Sequence, residues 1–145
     1  MFLEIHPSDP RVELEIAPLL RSLRPELTPE RARAFLREAH TEGYVLTIAT
    51  DADNRCCGLA GHRVLTTSRG RILFLEDLAV AADMREAGIG GKIMHYLERR
   101  AELAGCDRLE LDTGIGNHVA QRFYRKNQLE WAALHFSKNI ETEAI

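Results

Sequence analysis

The sequence predicts an α/β fold of the mixed-sheet (α+β) kind, an antiparallel meander followed by a βαβα unit with helices on both faces. Three observations predict it. Strand-like runs between Tyr44 and Val80 are separated by the polar turns Asp51-Ala52-Asp53-Asn54 and Ser68-Arg69-Gly70. After Val80 the apolar spacing changes to that of a helix, with Ile89, Ile93 and Leu97 on one face. The 145 residues, 45% hydrophobic and 28% charged, suit one domain, 1–145, with one core.

Phe2 to Ile5 reads as a first short strand. Ser8 or Asp9 is placed to cap a helix carrying Leu14, Ile16, Leu19, Leu20 and Leu23, which Pro25 ends. Thr28-Pro29 opens a second helix, with Thr28 as N-cap and Pro29 at the first helical position. It runs to about His40, and Gly43 stops it. Tyr44 to Ala49, Cys56 to Thr66 and Arg71 to Val80 form the meander. The last of these is apolar at both parities, as in a strand buried on both faces. Gly88 to Leu103 is helical and Gly105 ends it. A strand over Arg108–Asp112, a helix over Asn117–Asn127 and a final strand over Trp131–Phe136 follow.

Bulk properties exclude several functions. A net charge of −3 lacks the basic excess of a nucleic-acid binder. The six arginines from Arg11 to Arg37 are interleaved with acids and read as a solvated face. Three cysteines, Cys56, Cys57 and Cys106, two of them adjacent, do not make a disulfide framework. With no C-x-x-C pair or histidine cluster nearby, no metal site is expected. The opening MFLEIHPSDP lacks the plan of a signal peptide, and no apolar run approaches the roughly 20 residues that span a bilayer. A soluble, cytoplasmic protein is expected, with neither nucleic acid nor membrane as partner.

The informative segment is Val80 to Lys92. Glycines at a helix start let an anion approach the backbone, and the free N–H groups of the first turn point at it. Two phosphate-binding motifs fail on spacing. A Walker A loop reserves glycine and Ser/Thr for the positions of Glu86 and Ile93. The dinucleotide fingerprint requires glycine at Ile93, or at Val119 if it starts from Gly114. What remains is R-x-x-G-x-G, Arg85 to Gly90, after a long buried strand. Downstream lies A-x-x-F-Y, with Ala120, Phe123 and Tyr124 on one helix.

This pairing resembles the GNAT superfamily of acetyl-CoA-dependent N-acetyltransferases, and the order of elements matches along nearly the whole chain. Leu75-Glu76-Asp77-Leu78 is similar to the small-amine branch, which includes diamine acetyltransferases. The resemblance implies acetyl-CoA as co-substrate, held at the thioester and pantetheine arm by the backbone of Leu78, Ala79 and Val80. It implies a pyrophosphate cradle from Arg85, Glu86, Ala87, Gly88, Ile89 and Gly90, with Gly91 and Lys92. Asn117 and Tyr124 would contact the pantetheine and the sulfur. Glu86 departs from the common pattern, since a carboxylate is a poor neighbour for a pyrophosphate unless it faces solvent.

Acetyl transfer to an amine needs a base and an acid on opposite sides of the thioester carbon. Glu76, a charge on an otherwise apolar strand, is the candidate base through water. A salt bridge is its plain structural alternative. Asp77 is the neighbouring candidate. It points to the opposite face if the strand is regular, and a bulge would blur that distinction. Tyr124 is the candidate acid, and the family pattern implies direct transfer without a covalent enzyme intermediate. Asn117 has simple helix capping as its alternative, and Phe123 reads as core. His118 reads as exposed, and His62, His95 and His135 as structural or exposed. The acceptor is expected to be a small-molecule primary amine, recognised by the first helix pair and the 66–70 hairpin. A protein or peptide acceptor, or a silent CoA-binding regulatory module, are the competing readings. A homodimer, with the 131–137 strand pairing across it, follows from the resemblance.

Overall fold

Alternating and continuous apolar runs in the middle of the chain build one five-stranded sheet, in the order β1-β2-β3-β4-β5. The strands are β1 (Phe2–Ile5), β2 (Val45–Thr50), β3 (Cys56–Thr67), β4 (Gly70–Val80) and β5 (Arg108–Leu111). All neighbours are antiparallel except β4 and β5, which run parallel. The computed structural model describes residues 1–141. The backbone groups into two compact units, Met1–Leu111 and Asp112–Ile145, and the whole sheet belongs to the first.

Helices cover both faces of the sheet. On one lie a π-helical turn (Val12–Ile16), α1 (Ala17–Leu23) and α2 (Pro29–Thr41). Thr28 caps α2 as expected, its hydroxyl accepting the Arg31 N–H at 3.2 Å. Gly43 follows α2 at φ +90°, a backbone state glycine reaches at little steric cost. Ile16, Leu20 and Leu36 from this layer meet Ile48 of β2 and Leu59 of β3, all at most 2% exposed. Leu14 does not join them and is 78% exposed. Val12 and Ile16 face the core, and Leu14, midway between them on this wide turn, points to the opposite side.

The other face carries α3 (Ile89–Leu103), which buries Ile93, Met94 and Leu97. It approaches β3 closely: a Cβ on Gly58 would lie 2.9 Å from Ile93 Cδ1. With helices on both sides, β3 is buried at both parities from Cys57 to His62.

The second unit holds α4 (His118–Lys126). The final strand expected at Trp131–Phe136 is not formed. These residues have no strand partner, and Trp131, Leu134 and Phe136 are 66%, 66% and 87% exposed. Apolar alternation favours a strand only when a neighbouring edge takes up its backbone donors and acceptors, and among the described residues none does.

Candidate active site

The glycine turn is built by its backbone. After β4 the chain passes through a 3-10 segment, Ala82–Ala87, to Gly88, which sits at φ +76° and serves as N-cap of α3. A Cβ there would meet nothing within 4 Å, so the requirement for glycine is conformational. The Lys92 N–H is bonded to the Gly88 carbonyl at 3.1 Å. The N–H groups of Ile89, Gly90 and Gly91 ahead of it are the donors a helix start leaves without an intrahelical acceptor. No side chain caps them, and the first turn carries no acid. With the helix dipole behind them, donors of this kind suit an anion. Lys92 is exposed at its rim, and so is Glu86, which leaves that carboxylate in water. A shallow cleft of ≈ 540 Å³ opens alongside, floored by the stacked rings of Phe2 and Tyr96.

Immediately upstream, β4 has an open edge. Its pairing with β5 runs from Ile72–Arg108 to Leu75–Leu111 and stops. From Glu76 to Val80, β4 keeps β3 on one side, and no described strand occupies the other. Unpaired N–H and C=O groups on such an edge accept an extended chain by strand-type hydrogen bonds. Leu78, Ala79 and Val80 lie on this edge and lead into the glycine turn.

The ladder slips where the edge begins. Gly61 pairs with Asp77 and His62 with Leu75, so Glu76 is the extra residue of a bulge. Both acids consequently gather around one tyrosine on the α2 side. Tyr44 Oη donates to Asp77 Oδ2 at 2.8 Å. Glu76 Oε1 lies 2.7 Å from Arg63 Nε, an ion pair without a linear hydrogen bond. The Arg63 guanidinium stands 5.7 Å over the Tyr44 ring. Burial, and then the Asp77 charge, push the Tyr44 phenol well above its ordinary range, so it stays a neutral donor.

In the second unit, Asn117 caps α4, its Oδ1 accepting the Ala120 N–H at 3.1 Å. Gln121 ties the preceding loop down through the carbonyls of Gly114 and Ile115. Tyr124 is half-buried with Phe123 edge-on at 5.3 Å, and burial raises its phenol. Among the described residues, no three His, Cys, Asp or Glu side chains are placed to hold a metal ion.

A sequence model of the acetyltransferase (GNAT) family matches residues 11–128. The chain belongs to the GNAT family. It is an acetyltransferase of that family, and solved GNAT structures share its architecture. A probable acetyltransferase superposes with a TM-score of 0.82 at 21% identity, covering 99% of each chain. An aminoglycoside N-acetyltransferase in complex with CoA gives 0.80 at 19%, covering 96% of this chain and 93% of its own. Glucosamine-6-phosphate N-acetyltransferase from Arabidopsis thaliana gives 0.74 at 20%, covering 97% and 98%. No curated protein matches the sequence significantly.

Within this GNAT domain, the glycine turn, the open β4 edge, Glu76 and Asp77 all lie in the first unit, while Asn117 and Tyr124 lie in the second. Asn117 spends its side-chain oxygen on capping, the plainer of its two expected roles. Tyr44 and Arg63 escaped the sequence reading. Their only signals are a tyrosine at a strand start and an arginine in a strand. Nothing local says that both lean over the β4 bulge.

Proposed function

We propose that this GNAT protein transfers an acetyl group from acetyl-CoA to a primary amine of a small molecule, by direct attack in a ternary complex. The observation that carries the reading is the run of N–H donors at Ile89, Gly90 and Gly91, free of any side-chain cap and one short 3-10 segment beyond the open β4 edge. Oriented donors at a helix start suit a pyrophosphate, and the edge suits the amide-bearing pantetheine arm. Arg85, Glu86, Ala87, Gly88 and Lys92 complete the turn, and Leu78, Ala79 and Val80 supply the edge.

Acetyl-CoA, when bound, supplies the activated acetyl thioester. Glu76 receives, through water, the proton that the acceptor ammonium loses before its nitrogen attacks. A backbone N–H on the open β4 edge would polarise the thioester's carbonyl oxygen. The new C–N bond replaces the C–S bond, the Tyr124 hydroxyl gives its proton to the departing sulfur, and the second proton that the nitrogen sheds on becoming an amide passes through solvent and restores the phenol. A small acceptor is supported by neighbours that are aminoglycoside and glucosamine-6-phosphate acetyltransferases. Three free cysteines suit a reducing compartment, in keeping with a cytoplasmic location. A homodimer belongs to the same proposal, since exposed Trp131, Leu134 and Phe136 offer apolar surface for a partner copy.

Calorimetric titration with acetyl-CoA tests the donor, with saturable binding expected. Release of free CoA across a panel of small amines and amino-terminal peptides tests the acceptor. Turnover confined to peptides would replace the small-molecule reading.

A further inference from the structure

The four side chains at the β4 bulge differ in how their charges are balanced. Glu76 is matched by Arg63 at 2.7 Å. Asp77 takes part in none of the ion pairs among the described residues; its hydrogen-bond partner is the neutral Tyr44 hydroxyl. The cluster therefore keeps one negative charge, and it sits on Asp77.

The route from Tyr44 to Asp77 is unusually confined. Tyr44 is 2% exposed, wedged edge-on against Phe35 with 5.2 Å between ring centroids. Its hydroxyl lies over Gly61, the β3 residue paired with Asp77. A Cβ on Gly61 would fall 1.7 Å from that oxygen. A missing side chain on β3 thus makes the channel through which a buried phenol reaches a carboxylate on β4. Asp77 itself is only partly buried, and its carboxylate keeps acceptor capacity beyond the one hydrogen bond it takes from Tyr44.

We propose that Tyr44 is a positioning residue that fixes Asp77 across the Gly61 gap as the binding carboxylate for a cationic group of the acceptor, so that the acceptor is a cationic amine. The inference rests on the acetyl-transfer reading above. It separates the two adjacent acids: Glu76, paired with Arg63, relays the proton, and Asp77 holds the positive charge. Bulging puts both on one face, where a regular strand would have separated them.

Steady-state kinetics of Tyr44→Phe, with amine and acetyl-CoA varied independently, test this. Removing one hydrogen bond to a charged group should raise the KM for the amine roughly ten-fold. The kcat should stay within about two-fold and the KM for acetyl-CoA should not move. Asp77→Asn should raise the amine KM at least as much, and adding Tyr44→Phe to it should cost little more, because both act through one contact. An unchanged amine KM in Tyr44→Phe, even with a lower melting temperature, means a purely structural tyrosine and overturns the proposal. A preference for neutral or anionic amines over cationic ones overturns it too. Failure of the wild-type protein to bind acetyl-CoA at all would instead strike the functional reading beneath it.

Discussion

At the scale of the residue, the chemistry divides between groups the sequence displays and groups it hides. Glu76 is visible because a charge on an apolar strand is costly without a purpose or a partner. The structure supplies the partner in Arg63, and the proposed proton-relay role makes a firm demand. Glu76→Gln should lower kcat/KM about a hundred-fold, in the usual range for loss of a general base, and alter the pH–rate profile. A profile superimposable on the wild type would remove Glu76 from the mechanism. Tyr124→Phe keeps the half-buried ring and deletes the proton. Its kcat should fall by about two orders of magnitude, and the loss should shrink with an acetyl donor whose leaving group needs no protonation. Tyr44 was invisible because its importance lies in a hole, the absent side chain of Gly61, that belongs to another strand.

At the scale of the element, helix signals were readable and strand register was not. Thr28-Pro29 specified the start of α2, and Gly88 the start of α3, because caps are written within a few residues. The bulge at Glu76 depends on the alignment of β3 and β4, which no local pattern records. The glycine turn can be challenged with a substitution whose two effects oppose each other. Gly91→Asp places a carboxylate in the first turn of α3, where it suits the helix dipole and offsets the poor helix propensity of glycine. The same charge repels a bound pyrophosphate. The melting temperature should hold or rise while acetyl-CoA affinity drops at least ten-fold by titration. Unchanged affinity would mean that the turn binds no anion.

At the scale of the molecule, stability and pH are linked through His62. It is 3% exposed on β3, with an Nδ1 that has no hydrogen-bond partner among the described residues. Burial first, and then the Arg100 cation, lower its pKa from the ordinary value of 6.5. A depressed histidine means that the unfolded chain binds more protons once the pH falls below about 6.5. Stability should therefore decline as the pH drops through that value, and the loss should level off below the folded-state pKa. Denaturant titrations of wild type and His62→Gln at several pH values would show it, the variant having the flatter slope below pH 6.5. Equal slopes would place the sensitivity elsewhere.

By itself the sequence displayed the glycine turn and the order of elements from β1 to α4. Glycine spacing, caps and apolar periodicity are local properties, and each is set by residues within one or two turns of each other. The tertiary structure decided the rest. It left Trp131–Phe136 without a strand partner, since a β-ladder requires an edge that sequence alternation cannot supply. It turned Leu14 outward, because its position on the helix relative to Val12 and Ile16 sets its face. It brought Tyr44, Arg63, Glu76 and Asp77, spread over 33 positions of chain, onto one side of a bulge. Charge balance among groups that far apart is a property of distance in space, and it is what separates the roles of two neighbouring acids.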